Sequence, residues 1–269
     1  MGACFWFLLG QAALAGGPEN WSSAYDARLS QAMGASPSDA IAIYEALVAQ
    51  IPQNDDQRGD VLYWLGRARW SAGDLAGARR SLESARQYRS ARPRVRTLLG
   101  RMDAEDKAVK KLPYRKDFRL SVDPWVRGWK RGKESDLKLF DGSDGYSARW
   151  STEVLEGESD FIIFGISLDG ASLNQVSIKL RSESLQGRYR ILLEDDEGGT
   201  WAAPLQSVST DRWADISLPI SAFVRTDDSR QRSRVDGSRI KWVILRDVTA
   251  LHTAQRGTNA LLIDDLILR

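Results

Sequence analysis

Cysteine and histidine are almost missing from this chain. Its 269 residues contain one of each, Cys4 and His252. Cys4 lies inside an apolar N-terminal stretch, so a chain cleaved after Ala15 carries no thiol. That excludes disulfides, thiol redox chemistry and thiolate metal sites. A single histidine in a polar loop leaves general acid–base catalysis without its commonest agent. There is no Gly-x-Ser-x-Gly elbow, no phosphate loop and no dinucleotide fingerprint. Nor is there an apolar run of the roughly 20 residues that a membrane-spanning helix needs. Carboxylate pairs do occur, at Asp195-Asp196, Asp227-Asp228 and Asp264-Asp265. Turn acids such as Asp195 read as solvated turn formers. Neighbours on a strand point to opposite faces, so Asp264 and Asp265 are not expected to share a cleft. These absences point away from an enzyme.

What is present supports a substantial core: 42% of residues are hydrophobic and 28% are charged, in a length that allows one large or two medium domains. The net charge is only +2, but it is unevenly placed. Residues 86–133 hold sixteen Lys or Arg against five Asp or Glu, which makes this stretch +11 and the remainder −9. No nucleic-acid motif accompanies the basic stretch, so it reads as a solvated helix face plus a basic linker, and nucleic acid is not an expected partner. At the N-terminus, apolar Ala3–Leu9 precedes Ala13-Leu14-Ala15, a small-x-small signal, and the chain then turns polar. Residues 1–15 therefore read as a secretory signal peptide. The expectation is an exported protein, in the periplasm or at the cell surface, with no transmembrane span after cleavage.

Two Leu-Gly pairs, Leu65-Gly66 and Leu99-Gly100, stand 34 residues apart. Between them run Gly73-Asp74-Leu75 and then Ala78, Leu82 and Ala85 at helical spacing. Ala40, Tyr44, Leu47 and Pro52 repeat the second half of the pattern upstream. Small residues such as Gly66, Ala78 and Ala85 allow two antiparallel helices to approach closely, and Leu62, Leu65, Leu75 and Leu82 fill the seam. Helices are expected at 21–35, 38–51, 60–72, 74–88 and 94–111. This pattern resembles the tetratricopeptide repeat. It is carried by one degenerate copy (21–54), one good copy (59–92) and a half copy from 93. The resemblance implies a short helical solenoid over 21–111 that docks a protein partner, with Arg69, Trp70 and Arg94 as the contact candidates.

A linker at 112–117 is followed by period-two patterns over 118–269. Tyr146, Ala148, Trp150, Thr152 and Val154 alternate, as do Val176, Ile178 and Leu180. Phe161–Leu168 is a near-continuous apolar run, and 189–193, 213–218, 240–245 and 260–268 complete a set of short strands. Many strands with polar turns indicate an antiparallel β-sandwich. Three segments carry a family resemblance: Tyr189 to Trp201 through an acidic Gly-Gly turn, Trp213 to Phe223 through Leu218-Pro219, and the closing strand Leu262–Leu268. Together they resemble the galactose-binding-like jelly rolls, which include several carbohydrate-binding module families and a related complex I assembly-factor domain.

That resemblance implies carbohydrate as a ligand and a structural Ca²⁺ as a cofactor. Asp141, Asp144 and Asp264 are the candidate calcium ligands, although Asp141-Gly142-Ser143-Asp144-Gly145 also reads as a plain tight turn. Ten tryptophans are many for this length. An exposed indole stacks well on the C–H face of a sugar, and Trp150, Trp201 and Trp242 are the candidates, with Trp201 beside the Gly-Gly turn the most exposed and Trp213 in the core. The expected architecture is a tetratricopeptide-like α-solenoid followed by a jelly-roll sandwich. The expected role is a non-catalytic binding protein, or alternatively an envelope-complex scaffold that binds no sugar. An aromatic-lined groove on the sandwich separates the two.

Overall fold

The computed structural model describes residues 21–128, 136–143, 145–155, 159–226, 234–254 and 256–269. Residues 1–15, expected to be a signal peptide, lie outside the described residues, as do Trp129, Asp144, Asp227 and Asp228. The chain divides into two compact units, one running up to Val95 and the other Arg96–Arg269. Among the described residues no helix is long and apolar enough to cross a membrane.

The first unit consists of α1 (Trp21–Gly34), α2 (Pro37–Gln50), α3 (Asp56–Ser71), α4 (Leu75–Ala85) and the start of α5 (Arg92–Asp106). Side-chain acceptors start the helices as the sequence suggests. Ser36 accepts from the Asp39 N–H, Asp55 from Gln57 and Asp74 from Gly77. Asp55 therefore starts α3 inside the polar loop, four residues before the expected position. Ala40, Tyr44 and Leu47 of α2, Leu62 and Leu65 of α3, and Ala78, Leu82 and Ala85 of α4 are buried. A Cβ at Gly66 would lie 2.7 Å from Leu82 Cγ, so the close approach of α3 and α4 needs glycine there.

The other glycine of the 34-residue spacing serves a different contact. A Cβ at Gly100 would lie 2.8 Å from the carbonyl oxygen of Arg127, in the β-rich unit. The second half of α5 thus packs on the sandwich and does not close the helical array. For the same reason packing divides the chain between Val95 and Arg96, and not in the linker expected at 112–117.

Among its described residues the second unit holds thirteen strands: β1 (Tyr114–Lys116), β2 (Val126–Arg127), β3 (Asp136–Gly142), β4 (Gly145–Val154), β5 (Asp160–Gly165), β6 (Gln175–Ser182), β7 (Gly187–Asp195), β8 (Thr200–Ala202), β9 (Gln206–Val208), β10 (Ala214–Pro219), β11 (Val224–Arg225), β12 (Ile240–Asp247) and β13 (Gly257–Leu268). A short helix, α6 (Thr249–His252), precedes β13 and leaves His252 exposed. The first sheet runs β10-β6-β13-β4-β3, with β1 also on β13. The second runs β11-β8-β7-β12-β5-β2, with β9 also on β7. Every named strand pair is antiparallel, so the β-sandwich expected from period-two patterning is present.

The two inner faces form one core. Trp150, Ile178, Leu180, Leu261 and Ile263 from the first sheet meet Phe164, Tyr189, Ile191, Leu193 and Val243 from the second. Trp125 packs edge-on against Phe164, with ring centroids 4.6 Å apart. The second sheet is buried on its outer face too: Ile163, Leu192, Trp242 and Ile244 point away from that core and are still inaccessible. α5 covers part of this face. Arg101 donates to Glu194 at 2.8 Å, Lys241 pairs with Glu105 at 3.2 Å, and a Cβ at Gly165 would lie 2.6 Å from the Ala104 carbonyl oxygen. Burial pushes the Glu194 carboxyl upward, and Arg101 partly offsets it. Burial on both faces explains why Ile162-Ile163-Phe164 and Val243-Ile244-Leu245 read as continuous apolar runs.

Candidate functional site

The outer face of the first sheet is its polar side. β6 buries Val176, Ile178 and Leu180 and turns Ser177, Lys179 and Arg181 outward. Register then sets the rows that cross the strands. One row runs from Trp213, at the entry to β10, through Arg181, Leu262 and Arg149 to Lys138 on β3. Five neighbouring strands at about 4.8 Å spacing make this row roughly 19 Å long. Leu262 is its buried floor. The Arg181 guanidinium lies 5.0 Å from the half-buried Trp213 ring. Arg149 donates to Glu183 Oε2 from Nε at 2.9 Å and from a terminal nitrogen at 2.6 Å, to Glu183 Oε1 at 3.1 Å, and to the Ser151 hydroxyl at 2.7 Å. The adjacent row places Asp215, Lys179 and Asp264 side by side.

A bulge in β13 breaks the alternation beside that row. The register shifts after Asp264, and Asp265 takes a left-handed backbone with φ of 48°. Asp265 thereby reaches Lys179 at 3.0 Å and Arg115 at 2.7 Å, on the same face as Asp264. Asp264 and Asp265 do share one face, contrary to the strand-alternation expectation, because the bulge inserts an unpaired residue. Their acidities diverge. Burial raises Asp264, and the Asp265 N–H at 2.8 Å only partly opposes it. Burial also pushes Asp265 upward, but Arg115 and Lys179 outweigh it and hold the carboxyl below its ordinary value.

The structure corrects the predicted aromatic site. Trp150, Trp201 and Trp242 are 0%, 1% and 3% exposed, so none presents a ring face to a sugar. Trp150 and Trp201 belong to the core between the sheets. The Gly-Gly turn does not expose Trp201; a Cβ at Gly199 would sit 2.7 Å from the indole, so the glycine admits the ring. Trp242 is on the outer face of the second sheet and buried there. Trp213, expected in the core, is the half-exposed ring on the polar face. The parity of β10, with Ile216 and Leu218 inward, was the available signal. Asp195 is a turn former, accepting from the Glu197 and Gly199 N–H groups at 3.0 and 2.7 Å, but it is buried and not solvated.

The calcium set does not assemble. Asp141 on β3 and Asp264 on β13 are separated by β4 and lie on opposite faces of the sheet. Asp144 is outside the described residues. Gly142 at the end of β3 pairs with Gly145 at the start of β4. Among the described residues no group of three His, Cys, Asp or Glu is placed to hold a metal ion. Asp141 and Asp264 are therefore not placed to share a Ca²⁺.

In the helical unit, Arg69 is an internal clamp. It reaches Glu45 at 2.6 Å, Ser81 at 2.7 Å and the Gly77 carbonyl at 3.3 Å, tying α2, α3 and α4 together. Arg94 pairs with Asp60 and lies 5.0 Å from the Tyr63 ring. Trp70 is half-buried. None of the three lines the groove of about 340 Å³ on this unit, whose walls include Met33, Tyr44, Trp64 and Arg67. Tyr44 was legible as a repeat position; Trp64 and Arg67 were not.

No known protein family's profile matches the sequence, and no curated protein matches it. Solved structures similar to this chain include the family 11 carbohydrate-binding module of cellulase Lic26A-Cel5E from Clostridium thermocellum, at 16% identity and TM-score 0.44, covering 59% of this chain and 95% of that one. Another is the CBM22-1 xylan-binding domain of Paenibacillus barcinonensis Xyn10C, at 12% identity and TM-score 0.41, covering 60% and 96%. A third is TmCBM61 in complex with β-1,4-galactotriose, at 13% identity and TM-score 0.36, covering 57% and 98%.

Proposed function

We propose that this chain is an exported, non-catalytic binding protein whose sandwich holds carbohydrate on the outer face of the first sheet. The Trp213–Arg181–Leu262–Arg149–Lys138 row carries the reading. It combines one accessible indole, for the apolar face of a pyranose, with planar guanidinium groups that donate to hydroxyls. Ser177 and Ser217, 3.0 Å apart, and the Asp264 carboxylate add short polar groups beside it. Its length suits an internal stretch of a glycan chain. The helical unit docks a protein partner, and its Tyr44–Trp64–Arg67 groove is the surface that suits this role.

The test is binding of the full chain to a polysaccharide panel that includes β-1,3-1,4-linked glucan, xylan and β-1,4-galactan, alongside Trp213→Ala and Trp201→Ala. Binding by the wild type that Trp213→Ala abolishes supports the reading. A folded wild type that binds no glycan refutes it and returns the sandwich to a role in protein contact.

A further inference from the structure

The outer face of the second sheet changes character along its strands. At one end, Glu194, Trp242 and Gly165 form a row that α5 contacts. The next outward row, Leu192, Ile244 and Ile163, is apolar and buried. The row after that is Arg190, Arg246 and Phe161. Arg190 on β7 stands directly opposite Arg246 on β12, and Arg188 follows two residues along β7 on the same face. Like charges directly opposite each other on paired strands destabilise a sheet.

Among the described residues no opposite charge offsets that repulsion. Among the described residues no carboxylate lies within ion-pair distance of Arg188, Arg190 or Arg246. Arg246 donates to the Ser159 hydroxyl at 2.9 and 2.8 Å, a neutral acceptor. The Arg190 Nε is buried with no hydrogen-bond partner. Elsewhere in the same unit arginines are neutralised: Arg101 by Glu194 at 2.8 Å, Arg115 by Asp265 at 2.7 Å, Arg149 by Glu183 at 2.6 Å and Arg239 by Asp196 at 2.6 Å. Three arginines with no counter-charge among the described residues, one of them with a buried orphan donor, form a positive surface that suits an anionic ligand.

We propose that Arg188, Arg190 and Arg246 form an oxyanion site that takes a sulfate, phosphate or carboxylate group. Guanidinium forks match the paired oxygens of these groups, and a bound anion removes the repulsion between Arg190 and Arg246. The shared chemistry has two sources, a free inorganic anion or an acidic polysaccharide bearing the group. The site is on the opposite sheet from the carbohydrate row and stands whether or not that row binds sugar.

The experiment compares the thermal unfolding of the full chain in sodium sulfate, sodium phosphate and sodium chloride at matched ionic strength. A second arm titrates heparin and polygalacturonate by calorimetry. The variants are R190Q/R246Q and R188Q, with R80Q, at an exposed position of α4, as the control. Ligand binding to the folded state raises the melting temperature with concentration. The wild type and R80Q are expected to gain stability in sulfate or phosphate over chloride, or to bind a polyanion. R188Q is expected to weaken binding about tenfold. R190Q/R246Q is expected to bind nothing and to melt in chloride no lower than wild type, because the repulsion is gone. A response to the inorganic salts identifies a free anion as sufficient, and a response to the polymers alone identifies the polysaccharide. No response in the wild type to any of these, or an equal response in R190Q/R246Q and R188Q, overturns the proposal.

Discussion

Thr152→Val should destabilise the sandwich by breaking a buried side-chain bond that an acid on the second sheet accepts from the first. Thr152 on β4 donates to Asp247 on β12 at 2.8 Å, and both residues are buried. Asp247 also accepts from the Thr249 N–H at 2.9 Å. Valine keeps the shape of threonine and removes only the donor. Loss of a hydrogen bond to a charged group costs about 1.5–3 kcal/mol. In a unit of this size that lowers the melting temperature by roughly 2–4 °C per kcal/mol, or about 4–8 °C for a 2 kcal/mol loss. The effect should depend on pH. Burial holds the Asp247 carboxyl above its ordinary value, while the bonds from Thr249 and Thr152 pull it back down. A raised folded pKa means that the folded state binds the proton more tightly than the unfolded state. This group's favourable contribution is therefore full below the unfolded pKa and is lost as pH rises through the folded one. Thr152→Val pushes the folded pKa higher still. The gap between variant and wild type should be widest above the folded pKa of Asp247 in the wild type, and should narrow as pH falls through it. Urea unfolding from pH 4 to 8, followed by near-ultraviolet circular dichroism of the sandwich tryptophans, measures it. A loss below about 0.5 kcal/mol at pH 7, or a gap that widens on acidification, would refute the assignment.

Two further outcomes follow from the packing. Trp201→Ala should cost about 3–5 kcal/mol by opening a cavity in the core, with any glycan affinity unchanged while the protein remains folded; calorimetry and binding below the melting temperature separate the two. Gly165→Val places a branched side chain where a Cβ already lies 2.6 Å from the Ala104 carbonyl, so it should cost about 1–3 kcal/mol and accelerate amide exchange across residues 101–106.

Much of the fold was legible in the sequence, because periodicity is a local signal. β6 alternates in burial as its sequence alternates, and Ser36, Asp74 and the small-residue seam of α3 and α4 do what their types suggest. The short strands β8, β9 and β11 carry only two or three residues each, too few for a period to register. The site was less legible. Trp201 and Trp213 look alike as letters, and both stand next to turns. What separates them is parity relative to a core that exists only once two sheets have met.

The sequence by itself determined the helical and β-rich halves, the antiparallel sandwich and the scarcity of catalytic side chains, since each depends on residue type and short-range spacing. Tertiary structure decided the rest. It placed the second half of α5 on the sandwich through Gly100 and Gly165, and turned Asp265 onto the face of Asp264 by a bulge. It also buried the three candidate tryptophans and set Arg190 opposite Arg246. Each of these depends on strand register and on contacts between residues tens of positions apart, which no local pattern encodes.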